Sequence, residues 1–453
     1  MPVTSIFIKN LRNIAQARIE LSPGINFLIG DNGSGKTSIL ESFDILSTGH
    51  SFRTNRKNDL IKLQQDGLLI GATLDHGGSD QKLSVQKERD GKTVVTVNGD
   101  SGGGFAEAAS LFPVRAFHPD SHLLVQGGSS ERRRFLDWGV FHVKPGFVEC
   151  WNRYRRCLQQ RNALLKQRRP QSRPEQWDGQ MIEYAAELDE SRSEYFHSWR
   201  TVVRDFLSEL KPGKELIIEY DRGWPADRDL AGVLEENYPT DREQGATRFG
   251  PHRADMHLTW DGQPAKSTAS RGQQKVIALV LTLAQIRHFV RTHDREGIVL
   301  IDDLASELDT KHRKWALGEL KRLEQQTIVT QTENGLDLSP WSEMKVFHVK
   351  QGTVTEIQSV SAKEAESSSE FEEIQQTDRI FRRKCITCGV PIPQTRVLAM
   401  PDIKRCARCQ AEFEKREQPA PARKTEEGSA PDQEHNQQMR EMQPSVAGKS
   451  NGE

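Results

Sequence analysis

Gly30-Asp31-Asn32-Gly33-Ser34-Gly35-Lys36-Thr37 decides the reading of this chain. It fits G-x-x-x-x-G-K-[ST], and its flanks suit the motif: the apolar run Ile25–Ile29 reads as a strand and Ser38–Leu46 as the helix that follows. Glycines let such a loop wrap closely around a phosphate, so that backbone N–H groups point inward. The helix N-terminus adds partial positive charge. Lys36 is placed to reach the β and γ phosphates of a nucleotide, and the Thr37 hydroxyl to ligate Mg²⁺. Gly30 through Ser38 form the candidate nucleotide-binding residues.

Outward from the loop, a second piece lies far downstream in Ile298-Val299-Leu300-Ile301-Asp302-Asp303. Four apolar residues predict a buried strand, and two carboxylates emerge at its C-terminal end, where open αβ sheets place ligands. Asp302 suits Mg²⁺; Asp303 suits orienting or deprotonating an attacking water. Lys36, Asp302 and Asp303 are therefore the candidate catalytic set. Read alone, the two acids could equally cap a surface strand; the phosphate loop is what gives them a role.

Between these pieces stands Ser270-Arg271-Gly272-Gln273, opening the apolar helix Val276–Phe289, and after them comes Ser306-Glu307-Leu308-Asp309. The order of phosphate loop, S-x-G-Q, acid-tipped strand and S-x-L-D resembles the ABC-type ATPases. Within that superfamily, Leu11-Arg12-Asn13-Ile14, Ser51-Phe52-Arg53-Thr54, Arg133-Arg134-Phe135-Leu136-Asp137-Trp138-Gly139, Gly250-Pro251-His252-Arg253-Ala254-Asp255 and Ile301–Asp309 are similar to segments of the bacterial RecF family. The resemblance covers about residues 1–357. It implies ATP and Mg²⁺ as cofactors and ATP-dependent homodimerisation, in which Ser270, Arg271, Gly272, Gln273 and Asp309 serve the nucleotide between facing heads. It also implies slow hydrolysis, binding to gapped or junction DNA, and support of RecA loading together with RecR and possibly RecO. Generic ABC strands end Asp-Glu, whereas this one ends Asp302-Asp303; the shorter second side chain suits a timing ATPase rather than a motor.

The fold class expected is α/β: an ABC-type P-loop ATPase head with an inserted helical arm, then a small four-Cys zinc module. The expected boundaries are 1–119 and 213–357 for the head, 120–212 for the arm, 358–377 for a polar linker, 378–415 for the zinc finger and 416–453 for a disordered tail. Within the arm, Trp151–Arg169 and Met181–Leu210 read as long helices separated by the break at Pro170 and Pro174. The arm also carries Arg132-Arg133-Arg134, Arg153, Arg155, Arg156, Arg161, Lys166, Arg168 and Arg169, with Trp151 and Tyr154 interleaved. Clustered Arg with aromatics can contact DNA, although a solvated face with the two rings turned inward explains the individual residues better. Cys150 and Cys157 share a helix face and read as buried thiols.

Cys385-Ile386-Thr387-Cys388 and Cys406-Ala407-Arg408-Cys409 have the spacing of a C-x2-C…C-x2-C zinc site. Four thiolates can close a tetrahedral Zn²⁺ site, and so small a module needs the metal to fold. The thioredoxin-like alternative lacks a βαβ setting. The segment from Cys385 to Gln410 resembles the DksA/TraR zinc finger, a family that binds RNA polymerase, but the long coiled coil of that family is not visible upstream. The finger's partner is left open. Two rival readings are a transcription-linked protein led by the finger and another SMC-type repair ATPase, the latter disfavoured by the short arm.

The chain has 453 residues, long enough for more than one folding unit. Lys and Arg total 63 against 64 Asp and Glu, so no general basic field exists and any DNA contact must be local. No run of about 18 apolar residues occurs and no basic-then-apolar leader is seen, so a cytoplasmic protein without membrane contact is expected.

Overall fold

The computed structural model describes residues 2–54, 56–167, 175–210, 213–293, 296–332, 341, 343–360, 385–388, 390 and 404. The chain divides into two compact units, Met1–Ser368 and Ser369–Glu453.

The first unit is built on three sheets. An antiparallel sheet of five strands has the order β2 (Ile14–Glu20), β1 (Val3–Leu11), β4 (Gly67–His76), β5 (Ser79–Glu88), β6 (Thr93–Val97). A six-stranded sheet has the order β14 (Thr353–Val360), β13 (Met344–Lys350), β3 (Ile25–Ile29), β12 (Thr327–Gln331), β11 (Ile298–Ile301), β7 (Val114–Phe117). Its five consecutive strands β13, β3, β12, β11 and β7 are parallel. The third is a small antiparallel ribbon of β10 (Gln263–Pro264), β9 (Asp255–Trp260) and β8 (Leu216–Asp221).

Period-two alternation explains how the parallel sheet holds the molecule together. Ile298 and Leu300 of β11 join one apolar cluster, beneath the five-stranded sheet and the Lys36–Thr48 helix. Val299 and Ile301 join the other, shared with the Arg271–His293 helix and the arm. A strand buried on both faces is apolar throughout, which is why Ile298–Ile301 is legible as sequence.

The arm differs from expectation in detail. Its first long helix is Phe147–Leu165, ending earlier than Arg169; residues 168–174, which include Arg168, Arg169 and the two prolines, lie outside the described residues. Its second is Glu175–Leu210. Cys150 Sγ donates to Tyr184 O and Arg161 pairs with Asp178, so the two helices run antiparallel. A helix at Ser129–Val143 precedes them, within the expected helical arm but not delimited as a separate helix from the sequence; its apolar residues are interrupted by Arg132-Arg133-Arg134, which masks the period. The linker was expected to begin at 358, but β14 continues to Val360, paired to Met344. Residues 361–384 and 405–453, covering most of the expected linker and the whole expected tail, lie outside the described residues.

Candidate functional site

The phosphate loop leaves β3 at Ile29 and re-enters helix at Lys36. Two glycines are sterically required. A Cβ at Gly30 would meet Val349 O at 2.2 Å, and Gly35 adopts φ +117°, where a side chain is strained. The first-turn N–H groups of the following helix have no intrahelical acceptors. Ser34 Oγ is buried in the loop without a hydrogen-bond partner. Lys36 Nζ donates to the loop's own carbonyls, Gly30 O at 2.7 Å and Asp31 O at 2.9 Å. Burial lowers the Lys36 pKa, opposed by the charges of Asp303, Asp302 and Asp31. Asp31 and Asn32 are exposed, Gly33 has φ +79°, and Ser38 Oγ donates to Asn13 Oδ1 at 3.3 Å.

The acids arrive from β11, two strands away. Thr37 Oγ1 donates to Asp302 Oδ1 at 3.0 Å, joining residues 265 positions apart. The same oxygen accepts from Thr330 Oγ1 at 2.7 Å, and Thr330 Oγ1 in turn accepts from the Asp303 N–H at 2.8 Å. Burial raises the Asp302 pKa, against those two hydroxyl hydrogen bonds. Asp303 has φ +56°, a backbone conformation that costs on the order of 1 kcal/mol or more for a residue with a Cβ. The Thr330 hydrogen bond helps hold it there, at the head of the short Leu304–Glu307 helix.

The S-x-G-Q segment stands apart from this constellation. Ser270 and Gln273 form a reciprocal capping box, with Gln273 N–H donating to Ser270 Oγ and Ser270 N–H to Gln273 Oε1. Ser270, Arg271 and Gly272 are exposed. No hydrogen bond or ion pair among the described residues joins them to the phosphate loop. Lys275, two residues on, pairs with Glu307 at 2.7 Å and so ties this helix to the segment carrying Asp303. Asp309 caps the Thr310–Leu323 helix, accepting from the His312 backbone N–H at 2.9 Å.

Several residues around the site had no role assigned by motif. Arg12 forks onto the buried Glu41 with two hydrogen bonds of 2.6 Å, and Ser51 and Arg53 meet the same carboxylate. Thus the two segments Leu11–Ile14 and Ser51–Thr54 converge on one acid of the first helix. Asn13 Nδ2 donates to Gly33 O at 3.2 Å. Gln331, in register with Ile29 at the C-terminal end of β12, holds Oε1 buried without a partner. The available signal was a charged or polar residue inside an apolar run: Glu41 in Ile39–Phe43, Gln331 after Ile328-Val329.

The arm arginines divide by burial. Arg132 forks onto Asp255, Arg133 donates to Ala254 O, and Arg161 is fully buried against Asp178 and Asp241. These three are structural in the fold rather than exposed, because each finds an acceptor that the linear sequence does not place nearby. Arg134, Arg153, Arg155 and Arg156 are exposed, with Arg134 paired to Glu131 and Arg153 to Glu149. Tyr154 and both arm cysteines turn inward, and Trp151 is half-buried.

In the second unit Cys385 is buried and Cys388 exposed within one turn. The Cys385 N–H donates to Val390 O at 2.8 Å, and the Ile386 N–H to Lys404 O at 3.0 Å. The second bond brings the first Cys pair against the residue two positions before Cys406. That proximity fits a shared metal; Cys406 and Cys409 themselves lie outside the described residues.

A phosphate loop, an acid-tipped strand and an S-x-G-Q exposed at the start of a core helix define an ABC-type ATPase head, and the RecF/RecN/SMC N-terminal domain model matches residues 2–355. A relative from Thioalkalivibrio sulfidiphilus, "DNA replication and repair protein RecF", is 38% identical over 357 residues, covering 78% of this chain and 99% of that one. One of the same name from Cronobacter sakazakii is 38% identical over 360 residues, covering 79% and 100%. The chain belongs to the RecF family. A solved structure of the recombination mediator protein RecF-ATP in the RecFOR pathway overlays with a TM-score of 0.71 at 25% identity, over 79% of this chain and 98% of that one. Residues 379–415 match the prokaryotic dksA/traR C4-type zinc finger. Family membership across the whole head sets aside the reading in which the finger leads and the head only docks.

Proposed function

We propose that this protein is an ATP-controlled DNA-binding protein of recombinational repair. It binds gapped DNA or single/double-strand junctions and supports RecA loading with RecR and RecO. The observation that carries the reading is the meeting of Lys36, Thr37 and Asp302 at the C-terminal end of a parallel sheet in a RecF-family chain.

Lys36 and the loop N–H groups from Gly30 to Ser38 would hold the phosphates of ATP, and the unpartnered Ser34 hydroxyl suits the same anion. Thr37 and Asp302 would hold Mg²⁺, which when bound neutralises charge on the phosphate oxygens. Asp303 would orient the attacking water, giving slow hydrolysis that resets an ATP-dependent homodimer. Ser270, Arg271, Gly272, Gln273 and Asp309 would face the nucleotide held by a second copy. Cys385, Cys388, Cys406 and Cys409 would bind structural Zn²⁺.

Single-turnover hydrolysis and binding to gapped, duplex and single-stranded DNA, each with and without ATP, test the reading. Lys36→Ala is expected to abolish nucleotide binding and ATP-dependent DNA binding. Asp303→Asn is expected to keep nucleotide binding while lowering turnover by roughly 100-fold or more. Unchanged turnover in Asp303→Asn would remove it as the base, and DNA affinity indifferent to ATP in the wild type would sink the switch.

A further inference from the structure

A groove of 680 Å³ lies away from the phosphate loop, between the loops 221–226 and 248–253, floored by Asp189, Ser193 and Tyr220 of the arm and β8. Its two walls are locked together. Gly223 has φ +94°, and a Cβ there would meet Gly250 O at 2.3 Å; the Gly250 N–H donates to Gly223 O at 3.1 Å. Arg222 stiffens one wall by donating to Pro225 O and Arg228 O, each at 2.7 Å, while stacking on Trp224 at 4.5 Å.

The arginines gathered around the Gly250–Ala254 turn fall into two sets. Arg132, Arg161, Arg192 and Arg222 each have a carboxylate: Asp255, Asp178 with Asp241, Asp137, and Asp189. Arg133, Arg248 and Arg253 have none among the described residues. Arg133 is held by Ala254 O, Arg248 lies over the Phe249 ring at 5.6 Å, and Arg253 is exposed. The groove's own acids are already engaged. Asp189 accepts from the Tyr220 hydroxyl at 3.0 Å and faces Arg222, while Asp221 accepts from the Gly223 N–H at 2.8 Å and faces His257. The surplus positive charge is felt locally: burial chiefly, with Arg253 and Arg133 among the contributors, lowers the His252 pKa to about 4.

We propose that this groove is a DNA-backbone site in which Arg248 and Arg253 take phosphodiester oxygens. Arg133 adds longer-range attraction, and the half-exposed Phe249 offers apolar surface beside the sugar. Guanidiniums with no carboxylate among the described residues, one of them lying over an aromatic ring, match a phosphodiester chain, which alternates charge with apolar sugar and base. The site is distinct from the exposed arginines at 153–156, and it rests on the DNA-binding reading above.

The test uses the full-length protein with ATP, measuring affinity for gapped, duplex and single-stranded DNA from low to moderate salt. The double variant Arg248→Ala/Arg253→Ala is expected to weaken binding roughly 10-fold or more at low salt. It is also expected to flatten the slope of log affinity against log salt by about 2 on duplex, since each phosphate contact contributes about 0.9. Arg248→Lys/Arg253→Lys should largely restore the slope, and both variants should bind ATP as the wild type does. An unchanged slope and affinity in the alanine variant, with the wild type binding DNA, would overturn the groove while leaving the DNA reading intact. A wild type that binds none of the three DNAs would overturn both. The three DNAs also tell whether the groove holds duplex or single strand.

Discussion

At the residue scale, the chain places polar groups where only a partner from elsewhere can satisfy them. His288 sits inside the apolar helix Arg271–His293 and is buried, with Nε2 2.8 Å from Ser198 Oγ. Burial, helped by His293 and Arg291, lowers its pKa to about 4 from 6.5. A histidine depressed in the fold contributes its full stability above the unfolded pKa and loses it as pH falls through that value toward the folded one. Stability should therefore drop between pH about 6.5 and 4, by up to ~3 kcal/mol from this group. Urea melts across that window should show a shallower pH slope in His288→Gln; an identical slope would rule His288 out as a source. Sequence shows His288 only as a polar residue in an apolar run, and the neighbour that makes it costly to charge is the arm helix.

Elements are where sequence and structure agree most and where the disagreements have clear causes. The strands Ile25–Ile29 and Ile298–Ile301 and the helices around Lys36 and Arg271 are legible because period and motif coincide. Ser129–Val143 and Leu230–Gln244 are not, since charges interrupt the first and Pro239 sits inside the second. The arm looks like a solvated basic element, yet Arg161 is fully buried between Asp178 of the facing helix and Asp241 of the Leu230–Gln244 helix, with Thr247 at 2.8 Å. Removing one partner of such a pair leaves a buried charge and typically costs about 3–5 kcal/mol. Asp241→Ala should thus melt the arm or the whole first unit at markedly lower denaturant, whereas Glu149→Ala, which frees the exposed Arg153, should change stability by less than about 0.5 kcal/mol. Equal effects of the two would refute the division of the arm arginines into buried and exposed.

For the whole molecule, the first unit carries the family's machinery and the second the zinc module. Residues 379–415 match a C4-type zinc finger, and for a module of that length the proposed Zn²⁺ would supply the folding free energy. Chelation is expected to release Zn²⁺, measurable with a chromophoric indicator, and to abolish protection of the Cys385–Cys409 region from thiol alkylation. The melting of the first unit should not move. A chelator that leaves all four thiols equally protected would exclude the zinc assignment. At this scale the balance of 63 basic against 64 acidic residues is uninformative, because charge is read in patches such as the Arg248/Arg253 groove.

The sequence by itself determined the class of this protein. A phosphate loop, an acid-tipped strand and S-x-G-Q are local patterns whose chemistry depends on spacing within a few residues, and so they survive as text. Only the tertiary structure decided which residues complete them. Thr330 lies beneath Asp302, Glu41 gathers Arg12, Ser51 and Arg53, and Gln331 enters through the strand next to the loop. It likewise decided which arginines keep their charge available, since Arg132 and Arg161 find carboxylates more than fifteen positions away while Arg248 and Arg253 find none among the described residues. The reason is physical. A parallel sheet assembled from both ends of the chain brings distant residues within hydrogen-bond reach, and pairing or burial across such distances has no periodic signature in the sequence.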